Sequence, residues 1–251
     1  MSFTGKKIVI VGAGSSIAEH CARRWAAQSP SEIVLAGRDA GRIEHIAQDL
    51  RVRAPFAAVR IVQGDLLAPD RVEAMIDEIH RDGPVDLALI AHGALPDQLE
   101  CQRSLRATSE TILVNGLSPV LFAEAFAGRM QQAGRGTLAI VGSVAGDRGR
   151  KSNYTYGAAK GLVARHAQGL QHRLAGSGVS VVLVKPGPTD TPMTSHLKRQ
   201  GARLAPVEQV ADDIVRGIAR RKRVVYAPGR WAVVMQVIRH LPDFVFNRMD
   251  I

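Results

Sequence analysis

Seven short apolar runs recur along the chain, and each is followed by a stretch of helix-forming composition. The runs begin near residues 7, 32, 57, 85, 137, 179 and 224. Strands that alternate with helices favour a parallel sheet covered by helices on both faces. The 251 residues contain no internal repeat, low-complexity segment or linker. We therefore predict one doubly wound α/β domain, residues 1–251, with a seven-stranded parallel sheet.

The first apolar run leads directly into a glycine turn. Lys7-Ile-Val-Ile-Val11 is followed by Gly12-Ala-Gly14-Ser-Ser-Ile17-Ala18, and residues up to 27 have helix-forming composition. A strand, a glycine turn and a helix N-terminus together form an anion site, because free backbone N–H groups and the helix dipole face the ligand. The alternative is a tight turn without a ligand. The pattern favours a dinucleotide pyrophosphate, bound by Gly12, Gly14, Ser15, Ser16 and Ile17.

The end of the second apolar run predicts which dinucleotide is used. The run at 32–36 ends in Gly37-Arg38, with Arg42 one helical turn further on. An acidic residue at this place accepts hydrogen bonds from a ribose diol, whereas an arginine pairs with a 2′-phosphate. No acid stands at Gly37. We therefore expect NADP(H) to be preferred over NAD(H), the alternative being that Arg38 is merely solvated.

Tyr156 and Lys160 have the spacing of a proton-transfer pair. Residues four apart lie on one face of a helix. A phenol with a pKa of about 10 is a poor acid at neutral pH, but an ammonium about 4 Å away interacts with the phenolate by roughly 4 kcal/mol. Lys160 is therefore expected to lower the pKa of Tyr156 from about 10 toward about 7. Ser143, at the end of the run at 137–141, lies thirteen positions earlier. The alternative for the pair alone is a surface contact.

Together these motifs resemble the short-chain dehydrogenase/reductase family, over nearly the whole chain and in the family's order. After the glycine motif come Asp65-Leu66 behind the third strand, Ala91-His92-Gly93 behind the fourth, and Asn115 in Leu-Val-Asn-Gly. Ser143, Tyr156 and Lys160 follow, and then Pro186-Gly187-Pro188-Thr189-Asp190-Thr191. The resemblance implies a Rossmann fold. It also implies these further cofactor-binding residues: Asp65, Leu66, Ala91, Gly93, Tyr156, Lys160, Pro186, Gly187, Thr189 and Thr191.

The same resemblance implies the roles of the catalytic residues Asn115, Ser143, Tyr156 and Lys160. Tyr156 would give a proton to the developing alkoxide, and Ser143 would position the carbonyl oxygen. Lys160 would hold the nicotinamide ribose, and Asn115 would anchor a water that leads to Lys160. Residues 190–205 would form a mobile lid over the substrate, and helices at 104–130 and 153–174 would pair copies into a homodimer or homotetramer. No metal is expected, and His92 and His166 are interpreted as structural or solvated.

The distribution of charge points to an anionic substrate. The net charge is +10, and residues 196–251 hold eleven Lys or Arg against five Asp or Glu. Arg148, Arg150 and Lys151 lie between Ser143 and Tyr156, in a loop that the family resemblance implies borders the substrate pocket, and cations there would attract an anionic substrate. The alternative is a solvated arginine-rich surface. Nucleic acid is not expected as a partner, because no aromatic stacking motif accompanies the charge.

A narrower resemblance concerns the substrate. The stretches 143–151, 191–198, 225–228 and 233–242 are similar to the branch of the family that reduces polyprenyl-phosphate-linked keto-pentoses in cell-envelope sugar epimerisation. That resemblance implies an NADPH-dependent reductase of a lipid-linked keto sugar. The alternative is a reductase of acyl-carrier-bound or small free ketones, for which the basic surface would bind an acidic carrier protein.

The C-terminal tail, residues 229–251, is apolar and basic. Residues 230–241 are apolar nearly all round, but they are too few to cross a bilayer, which takes about 20 apolar residues. The tail is expected to lie either in a membrane interface or against a neighbouring subunit, and both interpretations stay open. Two cysteines, Cys21 and Cys101, cannot build a disulfide framework, and no signal peptide is expected. The predicted location is the cytoplasm or the inner face of the membrane.

Overall fold

The computed structural model describes residues 2–249 and contains one seven-stranded parallel sheet with strand order β3-β2-β1-β4-β5-β6-β7. This confirms the predicted fold class. The strands are β1 (Lys7–Val11), β2 (Glu32–Gly37), β3 (Ala58–Gln63), β4 (Leu87–Ile90), β5 (Gly136–Val141), β6 (Val179–Pro186) and β7 (Val224–Ala227).

Helices cover both faces of the sheet. They are α1 (Ser16–Ala26), α2 (Ala40–Arg53), α3 (Pro69–His80), α4 (Gln98–Arg103), α5 (Leu105–Ile112), α6 (Ser118–Gln132), α7 (Tyr154–Arg173), α8 (Ser195–Arg199), α9 (Val207–Ala219), α10 (Trp231–His240) and α11 (Asp243–Phe246). Short 3₁₀ turns lie at Val144–Gly146 and Pro192–Thr194, and a π-helical turn, Leu113–Leu117, joins α5 to α6.

The core consists of two apolar layers, one on each face of the sheet. Helices α1, α2 and α9 bury Trp25, Leu50 and Ile214 in one layer. Helices α3, α6 and α7 bury residues such as Phe122 and Val163 in the other. The central strands β1, β4 and β5 are buried along their whole length, whereas the edge strand β3 is largely exposed or half-buried. Burial on both faces explains why the central strands are continuous apolar runs in the sequence.

The helical run Leu105–Gln132 is long and apolar enough, by length and composition, to cross a membrane. Half of its most apolar window is buried inside the fold, and Phe122 and Phe126 are fully buried in the core. Packing against the sheet therefore accounts for its hydropathy. The predicted pairing helices at 104–130 and 153–174 correspond to this run and to α7.

The strand order reverses between β1 and β4. Strands β2 and β3 lie on one side of β1, and β5 to β7 lie beyond β4. The connections leaving β1 and β4 therefore diverge and open a crevice at the carboxyl ends of these strands, where α/β folds bind ligands. The glycine turn, Ala91-His92-Gly93, Ser143 and the turn after β6 all follow strands at this edge.

Candidate active site

Two adjoining cavities occupy the carboxyl edge of the sheet. A cleft of about 350 Å³ runs from the glycine turn to Arg38 and Leu66. A smaller cavity of about 140 Å³ contains the predicted catalytic residues. The two share lining residues and so form one continuous groove; these are Ser15, Ile17, His92, Gly93, Thr191 and Met193.

The glycine turn leaves the space that a pyrophosphate needs. Gly12 has a φ of +80°, and a Cβ there would lie 2.5 Å from the backbone nitrogen of His92. A side chain is excluded on both grounds. Ser15 caps α1 in an extended conformation, and its side chain makes no capping hydrogen bond. The first backbone N–H groups of α1 are therefore left for an anion in the cleft. Together with the cleft above the turn, these features fit a dinucleotide.

The adenosine end of the cleft carries two guanidinium groups. Arg38 is exposed, and both Arg38 and Arg42 line the cleft. Neither arginine forms an ion pair within residues 2–249. Asp39 also lines the cleft, but its Oδ1 accepts a hydrogen bond from the backbone N–H of Arg42 at 3.0 Å and so caps α2. Two guanidinium groups against one carboxylate leave this end of the cleft net positive.

Leu66, but not Asp65, lines the cleft. The Asp65 carboxylate instead accepts a hydrogen bond from the N–H of Leu67 at 3.0 Å, and the side chain is exposed. The Leu66 carbonyl accepts a hydrogen bond from the Ser118 hydroxyl. Since the Ser118 hydroxyl proton already takes part in that bond, the Ser118 oxygen accepts a hydrogen bond from the Nε2–H of His92, 2.7 Å away.

His92 is buried, and burial lowers its pKa to about 3. The ring is therefore neutral at physiological pH, and it ties the end of β4 to Leu66 through Ser118. This agrees with the structural interpretation of His92. The partner Ser118 lies 26 residues away, so local sequence gave no sign of it.

The four predicted catalytic residues line the same cavity: Asn115, Ser143, Tyr156 and Lys160. Ser143 follows β5 and accepts a hydrogen bond from the N–H of Ala145 at 3.1 Å. Tyr156 and Lys160 lie in the first two turns of α7, with the Lys160 Nζ 5.8 Å from the centre of the Tyr156 ring. Sequence spacing therefore predicted which groups meet here.

Asn115 is held in the π-helical turn, a local widening that is frequent at functional sites. Its Nδ2 donates to the Thr111 carbonyl at 3.1 Å, and its Oδ1 accepts from the N–H of Ala94 at 2.9 Å. A Cβ added at Gly93 would lie 2.8 Å from the Asn115 Oδ1 and 3.5 Å from the Lys160 Nζ. Both groups therefore border one small space beside Gly93.

Burial determines the protonation of the pair. Burial raises the pKa of Tyr156, and the hydrogen bond from Ser143 opposes the rise. Burial lowers the pKa of Lys160 to about 8. The Lys160 ammonium donates to the Val141 carbonyl at 3.1 Å. The prediction that Lys160 lowers the pKa of Tyr156 is therefore wrong for this geometry. The phenol is protonated at neutral pH, which suits a proton donor.

Of the three cations predicted to face the substrate, only Arg150 lines the cavity. Arg148 points to the tail: it donates to the carbonyls of Ile238 (2.7 Å) and Leu241 (2.6 Å) and pairs with Asp243 at 2.7 Å. Its guanidinium also lies 3.8 Å from the centre of the Phe246 ring. Lys151 is exposed and outside the cavity lining. The substrate assignments of Arg148 and Lys151 are therefore corrected.

The turn after β6 closes the other wall of the cavity. Pro186, Gly187, Thr189 and Thr191, which were predicted to bind the cofactor, all line it, and so does Ala91 after β4. A Cβ at Gly187 would lie only 1.9 Å from the Trp231 Nε1. The tail helix α10 is thus packed directly against this turn, a contact that only glycine permits. The predicted lid, 190–205, contains a 3₁₀ turn and α8, and its Met193, Thr194 and Leu197 line the cavity.

A buried ion pair lies behind the Ser143 loop. Asp147 pairs with Lys185 of β6 and accepts a hydrogen bond from the Tyr226 hydroxyl of β7 at 2.8 Å. No sequence motif marked this cluster or Asn153, which also lines the cavity, as functional. Within residues 2–249, no group of three or more His, Cys, Asp or Glu side chains is placed to hold a metal ion.

Comparison with known proteins agrees with this geometry. A sequence model of the family described as short chain dehydrogenase matches residues 6–202. An uncharacterized oxidoreductase of Streptomyces coelicolor is 34% identical over 248 residues, covering 97% of this chain and 96% of that protein. An uncharacterized oxidoreductase of Mycobacterium tuberculosis is 33% identical over 244 residues, covering 96% of each chain.

Two solved structures share the whole fold. A short-chain dehydrogenase from Sphingobium yanoikuyae, in complex with NADPH, is 25% identical, with a TM-score of 0.80 and coverage of 95% of this chain and 97% of that one. The bulky-bulky ketone specific alcohol dehydrogenase from Comamonas testosteroni is 24% identical, with a TM-score of 0.79 and coverage of 98% and 95%.

Proposed function

This chain belongs to the short-chain dehydrogenase family and is an NAD(P)-dependent oxidoreductase, and from that premise we propose that it reduces a ketone with NADPH. The observation that carries the proposal is the shared cavity of Ser143, Tyr156 and Lys160 next to a cleft that fits a dinucleotide. The same groups would also catalyse the reverse reaction, oxidation of the alcohol with NADP⁺.

Each residue of the cavity has a chemical task. When bound, NADPH supplies the hydride, and the cleft from Gly12 to Arg38 would hold it. Tyr156, protonated because burial raises its pKa, gives its proton to the substrate oxygen. The Ser143 hydroxyl donates a hydrogen bond to that same oxygen and orients it. Lys160 borders the ribose side, and Asn115 fixes the backbone beside Gly93 through Ala94.

The preference for NADPH is proposed from charge. Arg38 and Arg42 lie at the adenosine end of the cleft, and neither has a carboxylate partner within residues 2–249. Guanidinium groups pair readily with phosphate. The Sphingobium relative was solved with NADPH. The test is kcat/KM with NADPH and with NADH, for the wild type and Arg38→Ala; a wild-type preference for NADH contradicts the proposal.

For the substrate we propose a polyprenyl-phosphate-linked keto-pentose. The support is the stretch-by-stretch sequence resemblance, including the tail, and the presence of Arg150 in the cavity. A generic reductase of small free or acyl-carrier-bound ketones is the alternative. NADPH oxidation would be followed with a farnesyl-phosphate-linked 2-keto-pentose, an acetoacetyl thioester and ethyl acetoacetate. Turnover of the last two without the first supports the alternative.

Tyr156→Phe is the decisive variant for the reaction class. Removing the proton donor should lower kcat by about 10²–10⁴-fold, with the Kd for NADPH, measured by fluorescence, nearly unchanged. The Phe ring preserves packing, so the unfolding transition should stay in place. Near-normal turnover of Tyr156→Phe would contradict the proposed mechanism.

We further propose a homodimer or homotetramer. Leu117, Tyr154 and Leu162 are large, exposed apolar residues at the π-turn and on α7, the elements predicted to pair. On the tail, Val233, Val237 and Phe244 are exposed as well, which suits either a further subunit contact or an anionic membrane. Light scattering measures the mass, and flotation with anionic liposomes, with and without residues 230–251, separates the two uses of the tail.

A further inference from the structure

Arg150 is a cation in the catalytic cavity that pairs with no carboxylate within residues 2–249. Its side chain is half-buried among the residues that line the cavity with Ser143 and Tyr156. Its Nε is buried and has no hydrogen-bond partner. Burial lowers the pKa of the guanidinium, and no carboxylate opposes the effect. A partly desolvated charge of this kind is unfavourable unless something binds to it.

The neighbouring cations Arg148 and Lys151 do not line the cavity, whereas Arg150 does. Arg148 is held by Asp243 and two carbonyls, and Lys151 lies in solvent outside the cavity. Asn153, three residues after Arg150, also lines the cavity, and its Oδ1 is buried without a donor. The cavity therefore holds one unsatisfied cationic donor and one unsatisfied neutral acceptor close to the proton donor Tyr156.

We propose that Arg150 binds a phosphate-ester group of the ketone substrate, with Asn153 accepting a hydrogen bond from a hydroxyl of the same molecule. The proposal rests on the proposed reductase function and assigns the phosphate and one hydroxyl of its substrate to two individual side chains. A guanidinium presents parallel N–H donors that match two phosphate oxygens. Because the cavity lies apart from Arg38 and Arg42, this phosphate would be distinct from those of the cofactor.

The test measures binding of methyl phosphate to the protein saturated with NADPH, by isothermal titration calorimetry. Saturation with NADPH occupies the Arg38 end and removes it from the measurement. Arg150→Met should weaken binding by about 10- to 100-fold, the range for a lost charge-assisted hydrogen bond. Lys151→Met is the matched control, because it removes the same charge from the same loop and should change the affinity by less than about twofold. Arg150→Lys should recover part of the loss.

Other probes identify the source of the phosphate. Geranyl phosphate that binds at least tenfold more tightly than methyl phosphate would indicate a lipid-linked ester, and equal affinities a water-soluble one. The proposal is overturned if the wild type binds no methyl phosphate, if acetate binds equally well, or if Lys151→Met weakens binding as much as Arg150→Met. Turnover of ethyl acetoacetate does not depend on phosphate binding by Arg150, because that ketone has no charge. Its reduction with NADPH tests the proposed function separately.

Discussion

The loop that follows Ser143 has two sides, and charged side chains have opposite environments on them. On the side facing the C-terminal tail, each charged side chain is paired. Asp147 contacts Lys185 and Tyr226, and Arg148 is held by Asp243, two carbonyl groups and the Phe246 ring. This side joins β6, β7 and the tail into one network.

On the side facing the cavity, Lys160 and Arg150 have no carboxylate partner in the part of the chain that the structure describes. Lys160 donates to the Val141 carbonyl, and burial lowers its pKa to about 8. Arg150 has a buried Nε with no partner. Two buried lysines, Lys160 and Lys185, thus lie on either side of the same loop in contrasting environments.

The contrast separates structural charges from functional ones. A paired buried charge stabilises the fold only as long as its partner stays, whereas an unpaired one lowers stability and is available to a ligand. Shifted pKa values at clustered cavity groups are typical of functional sites. The same substitution, lysine to methionine, should therefore have opposite effects on stability on the two sides of the loop.

The largest effect on stability is expected for Lys185→Met. It leaves the Asp147 carboxylate buried with only the Tyr226 hydroxyl as partner, and removal of one member of a buried pair costs about 3–5 kcal/mol. Urea unfolding at pH 7 measures the loss. The double variant Asp147→Asn, Lys185→Met removes both charges and should recover at least half of it. A single variant as stable as the wild type would mean that the ion pair contributes nothing.

Lys160→Met should increase the free energy of unfolding, whereas Lys185→Met decreases it. Turnover should fall at least about 100-fold, because the buried ammonium near Tyr156 is lost, while the unfolding free energy at pH 7 should rise by about 1–3 kcal/mol. Because the pKa of Lys160 is lowered from 10.5 to about 8, the folded protein carries the charge unfavourably below pH 8. This penalty shrinks as pH rises and is gone above the unfolded pKa.

The stability gain of Lys160→Met should therefore be full at pH 7 and small at pH 10, as measured by urea unfolding at both values. A variant that is less stable than the wild type at pH 7 would contradict the contrast between the two lysines. The Kd for NADPH, measured in parallel, separates loss of the ribose contact from loss of proton transfer.

The fold and the membership of the cavity were predictable from sequence, because both follow from local patterns. Apolar runs alternating with helices determine a parallel sheet, and its carboxyl edge collects whatever follows each strand. Gly12 after β1, Ser143 after β5 and Thr189 after β6 therefore line one continuous groove, although they are far apart in sequence. The four-residue spacing placed Tyr156 and Lys160 in the same cavity.

Tertiary burial and distant partners were not predictable in this way. The partners of Arg148 lie 90 to 95 residues away, and Tyr226 lies 79 residues from Asp147. No local pattern signals these contacts, so Arg148 looked like a substrate cation. For Tyr156, spacing suggested a lowered pKa, but burial outweighs a lysine whose ammonium donates to the Val141 carbonyl.

Tyr226→Phe should have the smallest effect and tests the edge of the tail-side network. Asp147 keeps Lys185, so the loss is limited to the hydrogen bonds of the Tyr226 hydroxyl with Asp147 and Arg239, together worth about 1–2 kcal/mol. Burial, followed by the bond to Asp147, raises the pKa of Tyr226 to about 12. Because the pKa of Tyr226 is raised on folding, its hydroxyl stabilises the fold in full below about 10, the pKa it has in the unfolded chain. This stabilisation is lost as pH rises through about 12. The stability difference between Tyr226→Phe and the wild type should thus be constant from pH 6 to 9 and narrow above about 10. A difference that already vanished at pH 7 would show that the Tyr226 bond is not part of the network.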